Sequence, residues 1–343
     1  MLSFLARPAP RGSPAAEEPV LPFSPVHPTA VLNPVRRRAV GALGALATLL
    51  AVPGAARAAL DDAFEPQLGR RGKDVMWLPT PDGVIDRLMH MAGATPQDRL
   101  VDLGAGDGRI VIAAARDFGV RGRGIEYDPA MVEFARQQAE SAGVASLVSF
   151  EQGDIFETDF SDATIVSLYL LPELNLRLRP LLMAMRPGTR IVAHQFDMGR
   201  WTPDETSTVS HREGYLWVIP ANVTGDWKLR YGEGTDAVKA TLAFEQRFQR
   251  VAGTAAHEAF TTTLRQPRLL GDRLRFTLTD PSGVLREFDA RVSARTMRGD
   301  AQGADGTRVP FFAERVGEAP ALDGAQAPTE EEMHAAVAAL GGQ

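Results

Sequence analysis

The chain of 343 residues contains no cysteine. Disulfide frameworks, thiol nucleophiles and thiolate metal sites are therefore excluded. Histidine is scarce, with six residues and no cluster, and no metal site is expected. Net positive charge is also absent. The formal charge is −6, and residues 1–58 carry six Arg against two Glu, so the remainder is more acidic still. An acidic body argues against nucleic acid as the default partner and favours basic ones. Finally, no apolar run reaches the ~20 residues that cross a bilayer comfortably; Ala39–Val52 is short and broken by glycine.

What is present centres on Leu100-Val101-Asp102-Leu103-Gly104-Ala105-Gly106-Asp107-Gly108, followed by Arg109-Ile110-Val111-Ile112-Ala113-Ala114-Ala115. This pattern predicts strand, glycine loop and helix, the entrance of a Rossmann-like nucleotide site. Gly104, Gly106 and Gly108 let a ligand lie against bare backbone, including that of Ala105. The spacing is G-x-G-x-G, whereas a dinucleotide loop reads G-x-G-x-x-G. Asp102 and Asp107 flank the place where phosphates would sit. Carboxylates there repel pyrophosphate and suit a ligand carrying ammonium and sulfonium charges.

The next strands add two more acids. Strand two, 122–126, ends in Glu126, 24 positions beyond Asp102, the spacing of an acid that accepts ribose hydroxyls. Asp128-Pro129 opens a helix over 130–141. Strand three, 147–151, leads into Gly153-Asp154-Ile155. The continuous apolar run 163–170 is a strand buried on both faces. It ends Tyr169-Leu170-Leu171-Pro172-Glu173, after which a helix is interrupted by Pro180. Strand five, 189–196, carries His194 and Gln195, and 206–210 with 215–220 form a closing hairpin. Before all of this, Thr80 is the expected N-cap and Pro81 the first residue of a helix over 82–91.

The acid followed by G-x-G-x-G resembles the first motif of the class I, seven-strand S-adenosylmethionine (SAM)-dependent methyltransferases. The resemblance implies that SAM is the cofactor, that Asp154 takes the adenine amino group and that Ile155 packs the ring. It implies that the leading helix lids the ligand, so that Trp77 and Thr80 touch it. Adding W-L-P-T-P at 77–81 and Y-L-L-P-E at 169–173, the chain is similar to small protein-lysine methyltransferases of the mitochondrial inner membrane and their bacterial relatives. That likeness covers residues 74–203 and implies a protein lysine as methyl acceptor. Tyr169, Glu173 and His194 are the candidates on the acceptor side, with His194 a possible base or simply a hydrogen-bonded strand end. A small-molecule methyltransferase and a SAM-binding module without turnover remain open alternatives.

The fold class expected is α/β, a Rossmann-like seven-strand methyltransferase domain over 74–221, followed by an all-β antiparallel meander or barrel-like domain over 225–315. Apolar-polar alternation at 227–229, 240–244, 273–278 and 288–292 carries the second assignment. Residues 316–328 read as a linker. Thr329 and Glu332 form a capping box for a final helix to Leu340, stopped by Gly341. Residues 1–35 lack periodicity and read as disordered. Arg36–Arg38, the run 39–52 and Ala56-Arg57-Ala58 have the layout of an export signal. The resemblance gives 39–52 a second meaning, a membrane anchor. The compartment expected is thus periplasmic or membrane-associated, and cytoplasmic if the segment is neither signal nor anchor.

Overall fold

Proline and glycine bracket the first helix. α1 (Asp82–Ala92) starts after Pro81, which holds φ −64° and ψ 146° at the N-cap, and ends on Gly93 in the left-handed region at φ 57°. Thr80 does not cap it. With Pro81 in the capping position, the Thr80 side chain turns inward and its Oγ1 lies 3.1 Å from His194 Nδ1. The computed structural model describes residue 64, residues 66–69, residue 73 and residues 76–234 and 237–340. The export-signal or anchor segment, the N-terminal stretch expected to be disordered and most of residues 59–73 lie outside the described residues.

The strands and helices alternate as β1 (Arg99–Leu103), α2 (Arg109–Phe118), β2 (Arg121–Glu126), α3 (Pro129–Ser141), β3 (Val148–Gln152), β4 (Ile165–Leu168), α4 (Pro172–Met183) and β5 (Arg190–His194). The hairpin β6 (Glu205–Val209) and β7 (Arg212–Val218) follows, its turn made by Ser210 and His211, both at positive φ. The seven strands line up as β3-β2-β1-β4-β5-β7-β6. β1 to β5 are parallel and β7 runs antiparallel to β5. Strand order reverses between β1 and β4, and such a switch point opens a crevice at the carboxyl ends of the strands.

α4 corrects the expected break at Pro180: the helix runs through it to Met183. The proline removes one backbone donor. Buried Leu178, Leu182 and Met183 anchor the final turn to the core and offset that loss. Apolar side chains cover both faces of the sheet. One face packs Leu88, Met89, Ile110 and Val192, the other Leu103, Leu168, Leu178 and Ile191.

The second sheet has nine strands: β8 (Gly225–Tyr231), β9 (Val238–Arg247), β10 (Arg250–Ala256), β11 (Thr261–Thr263), β12 (Arg265–Leu270), β13 (Arg273–Thr279), β14 (Leu285–Val292), β15 (Thr296–Gly303) and β16 (Arg308–Arg315). Their order is β11-β10-β9-β8-β16-β15-β14-β13-β12. The two edge strands, β11 and β12, are consecutive in the chain with only Leu264 between them, so the sheet curls into a nearly closed barrel. Trp227, Phe244, Phe276, Phe288 and Phe311 fill it, with the Phe276 and Phe288 rings stacked 4.8 Å apart.

The barrel is fastened to the α/β part at its base. Phe248, at the β9–β10 tip, stacks on Trp201 at 5.8 Å, and Trp201 Nε1 donates to Gln249 Oε1 at 3.0 Å. The chain then returns: α5 (Glu330–Leu340) packs on α4. Its capping box is formed. Thr329 N–H donates to Glu332 Oε2 at 3.0 Å and Glu332 N–H to Thr329 Oγ1 at 3.2 Å. The expected stop at Gly341 lies outside the described residues.

Candidate functional site

The loop after β1 is shaped by what surrounds it. Gly104, Gly106 and Gly108 have φ of 79°, 55° and 79°, a region that other residues avoid. Space adds a second constraint. A Cβ on Gly106 would come within 2.6 Å of the Trp77 indole nitrogen, and one on Gly108 within 2.6 Å of the Phe150 ring. The Gly104 and Ala105 N–H groups donate to the Ile125 carbonyl, tying the loop to β2.

Three acids meet around this loop because three adjacent parallel strands end there. Asp102, 2% exposed, faces Ser167 across the β1–β4 register and accepts from its hydroxyl at 2.7 Å. Burial pushes its carboxyl up to about 7, with the Asp107 and Glu126 charges adding to the shift. Glu126 closes β2. Its Oε2 accepts the Gly106 N–H and its Oε1 the Asp128 N–H, both at 2.9 Å. A carboxylate offers about four acceptor positions, so Glu126 retains capacity for hydroxyl donors. Asp154, after β3, accepts the Phe156 N–H at 2.9 Å and pairs with Lys73 at 2.5 Å. The Lys73 hydrogen bond is the main reason its carboxyl lies below the usual carboxylate range. Like Glu126, Asp154 retains acceptor capacity beyond these two partners.

One cleft of about 960 Å³, counting its open mouth, is lined by Trp77, Thr80, Asp102, Gly104, Ala105, Gly106, Glu126, Asp154, Ile155 and Tyr169. Leu170 and Leu174 add an apolar wall. Gly108 stands behind the loop, against Phe150 and Ala135. Asp107 lines the cleft too, but its carboxylate is clamped by the Arg109 guanidinium at 2.6–3.0 Å.

The acceptor-side candidates separate. Tyr169 is half-buried, and burial raises its phenol while the Arg212 charge and hydrogen bond oppose the rise. Its ring lies 4.0 Å from that of His194. His194 does not line the cleft. It is wholly buried, burial holds its imidazole down at about 4, and its Nε2 has no hydrogen-bond partner. The enclosed ring stands behind Tyr169 and Thr80, which line the cleft, and its Nδ1 meets the Thr80 hydroxyl at the strand end. Glu173 also stands outside the cleft lining, with one buried oxygen unpartnered.

Several participants escape a reading of the sequence. Ser167 was detectable as a hydroxyl in the middle of an apolar strand. Lys73 and Arg212 were not, because nothing local marks their reach.

Residues 102–205 match the model of the ANTKMT methyltransferase domain. The chain is 38% identical over 151 residues to a protein-lysine N-methyltransferase of Saccharolobus islandicus, spanning 42% of this chain and 94% of that one. It is 33% identical over 129 residues to the adenine nucleotide translocase lysine N-methyltransferase of Mus musculus, spanning 37% of this chain and little more than half, 55%, of the mouse protein. Among solved structures, an RNA methyltransferase from Salinibacter ruber in complex with S-adenosyl-L-homocysteine is 54% identical. That match covers 43% of this chain and 96% of that chain, with a TM-score of 0.42.

Proposed function

The chain belongs to the protein-lysine N-methyltransferase family, and from that premise we propose that it uses SAM to methylate lysine side chains of a protein. One observation carries the cofactor reading: Asp102, Glu126 and Asp154 line the same cleft at three neighbouring strand ends. Such a donor set fits a cationic adenosyl ligand and repels a pyrophosphate. The exposed backbone at Gly104 fits a ligand lying flat on the loop.

Bound SAM supplies a methyl group already activated by its sulfonium. The residues have the remaining tasks. Asp102 holds the amino-acid ammonium, Glu126 the ribose hydroxyls, and Asp154 with Ile155 the adenine, while Trp77 and Thr80 close the cleft. The acceptor amine must arrive neutral and in line. Leu170 and Leu174 provide a dry wall that lowers an amine's proton affinity, and the Tyr169 hydroxyl orients its nitrogen. Most of the rate gain is positioning.

The Asp102 assignment has a pH signature. Its folded value of about 7 lies above the ordinary 3.8, so its contribution to stability is present below 3.8 and is lost as pH rises towards 7. A cation held there favours the ionised form. SAM affinity therefore rises with pH up to about 7 and then levels. Calorimetry at pH 6 in buffers of different ionisation enthalpy should show close to one proton released, and Asp102→Asn should release none. Proton-neutral binding at pH 6 would place the ammonium elsewhere.

Acceptor class is tested by incubating the enzyme with methyl-tritiated SAM and cell lysate. Label should enter protein bands and be recovered as methyl-lysine after hydrolysis. Label confined to RNA or to a low-mass product overturns the lysine reading, and no label with intact SAM binding overturns turnover itself.

A further inference from the structure

Charge is divided unevenly along the chain. Residues 59–221 carry sixteen Lys and Arg against twenty-four Asp and Glu, whereas residues 222–316 carry fifteen against twelve. The barrel is thus the cationic part of an acidic body, and strand register concentrates that charge. Leu270 pairs with Arg273, Arg273 with Arg291, Arg291 with Arg298, Arg298 with Phe312, Phe312 with Arg230, and Arg230 with Lys239. All seven are exposed on the outer face. They form a single row across β12, β13, β14, β15, β16, β8 and β9. At ~4.8 Å per strand the row is about 29 Å long.

Barrel stability does not call for this arrangement. Like charges directly opposite one another destabilise a sheet, and here Arg273, Arg291 and Arg298 stand opposite in succession. Asp289 and Asp272 pair with Arg273 and Arg291. Among the described residues, no carboxylate pairs with Arg298, Arg230 or Lys239. Neighbouring rows are balanced: Arg268 and Arg275 stand in line with Asp289 and Asp300, and Lys228 stands opposite Glu314.

We propose that the cationic row formed by Lys239, Arg230, Arg298, Arg291 and Arg273 across the outer barrel face docks an acidic, extended segment of the acceptor protein. Guanidinium forks bind carboxylates bidentately. Curvature selects among polyanions. The row bends around seven strands of a nearly closed barrel, so a flat anionic bilayer or a rigid duplex meets only part of it, while a flexible chain follows it. Single-stranded nucleic acid is flexible too, but its binding surfaces add aromatic platforms for the bases. Phe312 is the only ring in the row, and the Arg298 guanidinium already lies over it at 5.1 Å. The partner assignment rests on the protein acceptor proposed above.

The test uses the full chain and a fluorescein-labelled 20-residue polyglutamate. The peptide should bind with an affinity that falls steeply between 50 and 200 mM salt (about a fourfold range of ionic strength over which exposed charges are progressively screened). Arg230→Glu/Arg298→Glu should weaken it at least about tenfold, a loss consistent with two charge-assisted contacts. SAM affinity, read by calorimetry on the same variant, should not change, which separates this proposal from the cofactor site. Arg298→Thr should weaken peptide binding while raising the thermal midpoint, because it relieves the cross-strand repulsion; a merely structural arginine would not move the two readouts in opposite directions. Absent polyglutamate binding, equal binding by the double variant, or preference for oligouridylate or phosphatidylserine vesicles overturns the proposal.

Discussion

Replacing Glu126 by alanine should lower SAM affinity by about two orders of magnitude or more. Hydrogen bonds to a charged acceptor are each worth ~1.5–3 kcal/mol, and the proposed cofactor site gives this carboxylate two ribose hydroxyls to accept. The substitution also frees the Gly106 and Asp128 N–H groups, which point at Glu126 from opposite sides. The glycine loop then loses its tether to the tip of β2, so the cradle itself is disturbed. Glu126→Gln should retain one acceptor and fall between alanine and wild type. Calorimetry with SAM reads all three, and equal affinity across them would remove the ribose assignment.

A second large effect lies far from the cleft. Arg179 on α4 is 2% exposed, and its guanidinium is met by both Glu332 oxygens at 3.0 and 3.2 Å. Arg200 Nε and the Thr329 N–H complete the Glu332 shell. The Arg179 bond is the largest of the causes that hold the Glu332 carboxyl down at about 2. Glu332→Ala leaves a buried cation without compensation, a situation that costs ~3–5 kcal/mol. At ~2–4 °C per kcal/mol for a domain of comparable size, the thermal midpoint should drop by on the order of 10 °C. Arg200→Ala should cost far less, because that side chain is half in solvent. The pH dependence has a definite sign. A depressed carboxyl contributes stability above its ordinary value of 4.5, and that contribution is lost as pH falls from 4.5 towards 2. Scanning calorimetry of both variants at pH 7 and pH 3.5 checks the argument; an unchanged Glu332→Ala midpoint refutes it.

The α/β half could be read from local pattern because its signals are local. An acid, alternating glycines and an amphipathic run are contiguous, and the Glu126 spacing follows from one strand-helix-strand unit. The barrel was harder. Four of its nine strands alternate clearly, but β10 and β15 contain Gly253 and Gly299, which interrupt the alternation. Both are strand residues where backbones crowd. A Cβ would meet the Ala243 carbonyl oxygen at 2.4 Å in one case, and overlap the Asp289 carbonyl oxygen in the other. Glycine inside a strand marks such close approach, and only the curled sheet reveals it. The surroundings of His194 were illegible for another reason. Its chemistry is set by enclosure, which no run of neighbours encodes, and Pro180 shows packing overriding a strong local stop. The capping box at Thr329 and Glu332 was legible as a motif, yet its glutamate also serves an arginine 153 positions earlier.

That last pairing orders events at the ribosome. Domains emerging from synthesis tend to fold from the N-terminus, and here the α/β layers are translated long before Glu332 leaves the exit tunnel. Until it does, α4 must either bury Arg179 uncompensated or stay loosely docked. Completion of the α/β layers therefore waits on α5, and a chain truncated after the barrel would hold an α/β half that is assembled but unlatched.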